Sequence, residues 1–383
     1  MANRTLGVLS GTRKENERRL AIHPRHLEHI APELRERIYL EHGYGERFGI
    51  ADGQLAPQVG GLATREDLIA DCDIILLPKP LPDDVAELRD GQTLWGWPHC
   101  VQDDKITQLA VDHKLTLIAF EAMSHWARDG GFGLHVFHKN NELAGYSSVL
   151  HALALTGRTG DYGQRLRAVV IGFGATARGA VTALNAHGVH DIDILTNRGI
   201  TAVASPIHSA RMVHFEHDVN NPDDPRRSYA LTDDGRVPLA GFLAEHDIVV
   251  NCVLQDTEEP LIFLLEEDLA AFEPGGLIVD VSCDDGMGFS WARPTTFDEP
   301  TFLVGDNITY YGVDHSPSYL WNSATWEISE ALLPYLPTVL GGPSAWDADE
   351  TIRRSIEIRE GVIQNPKVLS FQGRAPEYPH ARM

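Results

Sequence analysis

Leu166-Arg-Ala-Val-Val-Ile-Gly172-Phe-Gly174-Ala175-Thr176-Ala177 is the stretch from which the rest of the chain is best read. A strand-type apolar run enters Gly-x-Gly-x-x-Ala, and a helical pattern over Ala177–His187 follows until Gly188 stops it. Gly172 permits a tight turn, and Gly174 lets backbone approach a pyrophosphate. Ala177 is small enough for close helix–strand packing, and the helix N-terminus, with Ala175 and Thr176 in the turn before it, faces phosphate charge. Strand, turn and helix in this order predict a dinucleotide site.

The end of the next strand sharpens the cofactor. A site for NAD usually carries an acid about 20 residues on, bonded to the ribose 2′-hydroxyl. Here Asp191-Ile-Asp-Ile-Leu-Thr196-Asn197-Arg198 ends without one, and a guanidinium follows at once. A guanidinium can take a 2′-phosphate bidentately, so NADP(H) is the expected cofactor, held in part by Thr196, Asn197 and Arg198.

Short apolar runs recur on both sides of this motif, at Thr5–Leu9, Asp73–Leu77, Thr93–Trp97, Leu115–Ala119, Asp247–Val250, Leu277–Val281 and Ile308–Tyr311. Helical patterns lie between most of them: Val85–Arg89, Asp104–His113, Asn141–Ala154 and Pro238–Glu245, with Ala324–Leu336 and Ala348–Glu360 in the tail. Alternation of this kind predicts an α/β fold of two Rossmann-like, doubly wound domains with a cleft between them. The tail is too short for a domain of its own. The expectation is a discontinuous substrate domain, 1–138 and 315–383, with a cofactor domain, 139–314, inserted in it.

Composition excludes other classes. The chain has 383 residues, 43% of them hydrophobic, with 32 Lys+Arg against 55 Asp+Glu and a net charge of −23. Enough apolar residues exist for a sizeable core, and the acidic balance argues against nucleic acid or an anionic membrane as partner. Cys72, Cys100, Cys252 and Cys283 are far apart, which argues against a disulfide framework and a cysteine zinc site. No secretory leader or membrane span is expected, and the cytoplasm is the expected compartment.

Two strand ends in the first domain carry chemistry. Asp73-Ile-Ile-Leu-Leu-Pro-Lys79-Pro ends in a lysine between prolines, and Thr93-Leu-Trp-Gly-Trp-Pro-His99 ends in a histidine. If these strands are parallel neighbours, their ends sit about 5 Å apart. Lys79 and His99 then share one crevice, suited to polarising a carbonyl and moving protons. Arg19, after the first strand, can clamp a substrate carboxylate. His135-Val-Phe-His138 lacks a nearby acid or cysteine to complete a tetrahedral set, so no metal is expected.

Together these residues resemble the alanine dehydrogenase, transhydrogenase and saccharopine dehydrogenase superfamily. Its Lys-Glu…Glu-x-Arg-Val-Ala-Leu-Thr-Pro pattern is similar to Lys14-Glu15…Glu17-Arg-Arg19-Leu-Ala-Ile-His-Pro24. The resemblance implies that Arg19 binds the substrate carboxylate and that Lys79 and His99 are catalytic. It also places Asp284, in Val279-Asp-Val-Ser-Cys-Asp284, near the nicotinamide ribose, and has Cys252-Val253-Leu254 line the cofactor. Within this group, Leu94-Trp-Gly-Trp-Pro-His-Cys-Val-Gln102, Phe120-Glu-Ala-Met123 and Lys139-Asn-Asn-Glu-Leu-Ala-Gly-Tyr146 resemble the N-(carboxyethyl)ornithine synthases. That likeness implies NADPH-dependent joining of pyruvate, or a similar 2-keto acid, to the side-chain amine of ornithine or lysine through an imine. An ammonia-using amino-acid dehydrogenase and a saccharopine-type dehydrogenase are the alternatives.

Val313-Asp314-His315-Ser-Pro-Ser318 departs from the Asn-Met-Pro-Gly loop of alanine dehydrogenases and looks more like the saccharopine-type Asp-His-x-Pro-Ser. Asp314 and His315 are therefore expected to hold cofactor or second substrate. Glu121, Glu142 and Asp314 are unranked candidates for gripping an ammonium group. The superfamily also implies a homo-oligomer, dimer or tetramer.

Overall fold

A computed structural model describes residues 4–197, 207, 209–218, 227–255 and 260–383. The chain divides into two compact units, residues 1–138 with Trp321–Met383, and Lys139–Leu320.

The first unit is built on an eight-stranded sheet. Six parallel strands run in the order Gly61–Ala63, Ile38–Glu41, Leu6–Val8, Ile74–Leu76, Thr93–Gly96, Thr116–Ala119, and so reverse direction of winding beside Leu6–Val8. Neighbouring residues enter opposite cores: Ile74 and Leu76 pack on one face, Ile75 and Leu77 on the other. Both faces are therefore covered, which is why these strands read as continuous apolar runs.

The second unit repeats the plan. Its central parallel strands are ordered Arg211–His217, Asp191–Thr196, Arg167–Ile171, Ile248–Asn251, Leu277–Asp280, Ile308–Tyr311. Antiparallel strands close both edges: Ser228–Thr232 with Gly235–Pro238 at one, and Thr301–Val304 at the other. Val170, Val250 and Val279 pack on one face, Val169, Val249 and Ile278 on the other.

Helix His138–Leu155 lies against helix Ala175–Ala186 with backbones almost touching. A Cβ on Gly145 would fall 1.9 Å from the Thr176 carbonyl oxygen, and one on Gly179 would fall 1.7 Å from that of Glu142. Only glycine fits either position, so this packing fixes the helix that follows the glycine-rich turn.

Three expectations need correction. The helix expected at Val85–Arg89 forms earlier, at Pro82–Val85, because Pro82 presets helical φ and the Asp84 carboxylate accepts Leu81 N at 2.8 Å. The segment 348–360 is not one helix. Helix Glu350–Arg354 gives way to strand Ile356–Arg359, where Ile356 and Ile358 follow a period of two and pair antiparallel with Leu117 and Ile118. The return to the first unit falls at Leu320/Trp321 instead of 314/315. The turn Ser316–Leu320 stays on the second unit, where Ser148 Oγ donates to Ser316 Oγ at 2.7 Å.

Candidate active site

In the second unit, the glycine-rich turn sits where the winding reverses, at the carboxyl ends of Arg167–Ile171 and Ile248–Asn251. Gly172 has φ +108°, a conformation that L side chains rarely adopt, and its Cβ would meet the Cys252 carbonyl oxygen at 3.1 Å. Gly174 caps helix Ala175–Ala186, and a Cβ there would meet none of the described residues within 4 Å. Among the described residues, no packing therefore demands a glycine at 174. The space is open in front of the first turn's N–H groups, which fits a diphosphate. Ala175 and Thr176 form that turn, and Ala177 is fully buried beneath it.

Cys252 is buried, Val253 is half-buried, and Leu254 is 91% exposed. Thr196 ends its strand buried, Asn197 is exposed, and Arg198 lies outside the described residues. Asp284 is half-buried. Asp314 and His315 are on this unit and are bonded to each other, His315 Nδ1 to Asp314 Oδ1 at 2.7 Å. The edge of Phe297 meets the buried His315 ring.

In the first unit, the reversal of winding lies between Leu6–Val8 and Ile74–Leu76, and the next strand is Thr93–Gly96. Lys79 and His99 follow the last two, and Lys79 Nζ is 3.3 Å from His99 Nε2. Several contacts fix this approach. Gly96 packs so closely that a Cβ would fall 2.0 Å from the Leu77 carbonyl oxygen, and Trp97 N donates to Pro78 O at 2.7 Å. The Thr12 hydroxyl lies 2.6 Å from Lys79 O and 2.9 Å from the buried Asp84 carboxylate.

His99 has φ +49°, uncommon for a residue with a side chain. Its N–H donates to Glu121 Oε1 at 2.7 Å, which holds the turn. Glu121 is half-buried, with its Oε2 enclosed. Desolvation, and then the charge of Glu357, push its carboxyl up to about 8. Desolvation likewise raises Glu357 to about 7.

Arg19 is buried, its guanidinium 5.2 Å from the centroid of the Trp97 ring, two residues before His99. Glu17 holds one edge of the fork, accepting from Nε at 2.8 Å and Nη2 at 2.5 Å.

Of the ammonium candidates, Glu121 spends one oxygen on His99 N–H, and Glu142 pairs with Lys139 Nζ at 2.6 Å. Sequence reasoning missed Glu17 as the partner of Arg19, Glu121 as the support of His99, and Glu357. Among the described residues, no group of three or more His, Cys, Asp or Glu is placed to hold a metal, and no helix is long and apolar enough to cross a membrane.

Comparison with known proteins covers both units. The family described as alanine dehydrogenase/PNT, N-terminal domain, matches residues 7–144, and alanine dehydrogenase/PNT, C-terminal domain, matches 161–366. The chain is 26% identical to the alanine dehydrogenase of Mycobacterium tuberculosis, over 94% of this chain and 95% of that one. It is also 26% identical to the N(5)-(carboxyethyl)ornithine synthase of Clostridium botulinum, over 82% of this chain and 89% of that one. A solved L-alanine dehydrogenase superposes with TM-score 0.73 at 19% identity, over 96% of this chain and 98% of that one, and shares the fold.

Proposed function

Because the chain belongs to the alanine dehydrogenase/PNT family, we propose that it condenses pyruvate, or a similar 2-keto acid, reductively with the side-chain amine of ornithine or lysine, using NADPH. The family comprises NAD(P)-dependent oxidoreductases acting on CH–NH bonds, so a pyridine nucleotide is the cofactor to expect. The observation that carries the reading is the Lys79–His99 pair, 3.3 Å apart at the ends of two parallel strands. Two basic groups at that separation can serve one carbonyl oxygen, one polarising it and the other moving its proton.

Arg19, oriented by Glu17, anchors the keto-acid carboxylate. Lys79 gives a proton to the ketone oxygen, leaving a hydroxyl, while a neutral amine adds to the carbonyl carbon. His99 takes the proton released by the adding nitrogen and returns it to the hydroxyl. Water leaves, and a carbon–nitrogen double bond forms. Gly172, Gly174 and the turn Ala175–Ala177 would hold the dinucleotide, which when bound and reduced would supply hydride. Cys252–Leu254 and Asp284 would line its nicotinamide end. Arg198 with Thr196 and Asn197 would take the 2′-phosphate. Replacing Arg198 with Asp should reverse a preference for NADPH over NADH; an unchanged ratio of kcat/KM values overturns that part.

The run Asp314-His-Ser-Pro-Ser318, in place of an Asn-Met-Pro-Gly loop, supports an amino acid as the amine partner. Asp314 and His315 are then its binding residues. The equal identity to an alanine dehydrogenase favours a second reading, reductive amination of a keto acid by ammonia. A matrix of keto acids against amines, followed by NADPH absorbance, separates them. Turnover with pyruvate plus ornithine or lysine is expected, and turnover with ammonia alone overturns the first reading. The pathway role is amino-acid metabolism in the cytoplasm, carried out by a dimer or tetramer of this chain.

A further inference from the structure

Behind the Cys252–Leu254 turn lies a polar cluster that the reaction above does not use. Asp280 and Asn251 end neighbouring parallel strands in register with each other, and Tyr310 stands on the next strand. All three are fully buried. Asn251 Nδ2 donates to Asp280 Oδ1 at 3.0 Å, as does Cys283 N at 3.0 Å, and the Tyr310 hydroxyl donates to Asp280 Oδ2 at 2.9 Å.

Two turns are fixed from this centre. Asn251 Oδ1 accepts Val253 N at 3.2 Å, and Asn251 O accepts Val281 N at 3.0 Å. Ser282 Oγ donates to Val253 O, which ties the turns to each other. Cys283, one residue before Asp284, has φ +44°, and its bond to Asp280 holds that strained backbone. The first turn also abuts the glycine-rich loop, since Cys252 O is the atom a Gly172 Cβ would meet at 3.1 Å. Packing around the cluster leaves no slack: a Cβ on Gly288 would fall 2.7 Å from Asn251 Nδ2.

We propose that Asp280, with Asn251 and Tyr310, is a latch of positioning residues that sets the Cys252–Leu254 and Val281–Asp284 turns for the pyridine nucleotide. The proposal rests on the functional reading above, because it takes those turns to line the cofactor. The ionised carboxylate suits the latch, since all three of its partners donate. Protonation at Oδ1 sets a donor against the two N–H donors already there, and protonation at Oδ2 makes the Tyr310 hydroxyl give up its donated bond. Burial pushes the Asp280 carboxyl up to about 6, with the Asp284 charge adding to the rise and the Cys283 N–H, Tyr310 and Asn251 donors opposing it. The thiols of Cys252 and Cys283 and the Tyr310 phenol are the other titratable groups against it, and the Cys252 thiol and the phenol are pushed far up by burial. Below pH about 6 the latch should therefore loosen.

The test is the dissociation constant of NADPH, and of NADH, for the full chain, read by nucleotide fluorescence between pH 5 and 8 (roughly one unit below that carboxyl's pKa to two above). The wild type should bind more weakly as pH falls through about 6. Asp280→Asn should weaken binding about tenfold at pH 8 and flatten that dependence. Tyr310→Phe, the milder change, removes a donor that favours the charged carboxylate, so its inflection should move to higher pH. It carries the test if Asp280→Asn does not fold. Wild-type affinity and an unmoved inflection in the variants overturn the latch. A wild type that binds neither nucleotide overturns the functional reading, and the latch with it.

Discussion

The two units share a strand order and use it in opposite ways. Both place their candidate site where winding reverses, at the carboxyl ends of parallel strands, as open α/β sheets do. In the first, the edge is crowded with side chains: Lys79, His99, Arg19 and the carboxyl groups of Glu17, Asp84 and Glu121. In the second, the edge is defined by missing side chains, at Gly172 and Gly174, and by exposed backbone N–H groups. Acid–base work needs titratable groups at fixed spacing, whereas a diphosphate needs close approach and a helix start. The shared order of six parallel strands suits both kinds of edge, because the residues that follow each strand differ.

The largest effect should come from the crowded edge. His99→Ala should lower kcat by about 10²–10⁴, with the NADPH dissociation constant within about twofold of wild type. Steady-state kinetics beside fluorescence titration checks this, and a variant that keeps most of its turnover breaks the acid–base assignment.

At the bare edge the two glycines should separate. Gly172→Ala forces a side chain into a strained φ near the Cys252 carbonyl, so it should cost about 1–3 kcal/mol of stability in urea unfolding and weaken nucleotide binding. Gly174→Val adds a Cβ that meets no atom of the described residues within 4 Å. It should leave the melting temperature unchanged while weakening nucleotide binding by about tenfold or more. If Gly174→Val lowers stability and spares the nucleotide, the open space has another purpose.

A smaller effect concerns the support of the crowded edge. Glu121 and Glu357 have carboxyls raised from 4.5 to about 8 and about 7. Both stay protonated in the fold after the unfolded chain has lost its protons, so stability should fall as pH rises from about 4.5 to about 8. Glu357→Gln should make that decline shallower in urea unfolding at several pH values. A decline as steep as wild type would mean that Glu357 is not held protonated.

The comparison also explains what could be read in advance. The central strands of both sheets are buried on both faces, so Ala168–Ile171 and Ile74–Leu77 stand out as apolar runs. Strands nearer the sheet's margin do not. Arg211–His217 alternates buried and exposed residues amid charges, and the Ser228–Pro238 hairpin carries its signal only in the Asp233-Asp234-Gly235 turn. Strand Ile356–Arg359 is set by its partner more than two hundred residues away, which local pattern cannot show. The same holds at the site. Lys79 and His99 were legible because each ends a recognisable strand. Glu121 acts by accepting a backbone N–H from His99, and Glu357 reaches the region only through the returning tail.

In the proposed function, the crowded edge makes an imine from a keto acid and an amino-acid amine, and a bound nucleotide reduces it. Incubating the full chain with pyruvate, ornithine and NADPH deuterated at the transferable position, then weighing the product, tests this directly. The expected product is a carboxyethyl amino acid that carries the deuterium. Deuterated alanine formed only when ammonia is supplied, with no condensed product, would contradict it.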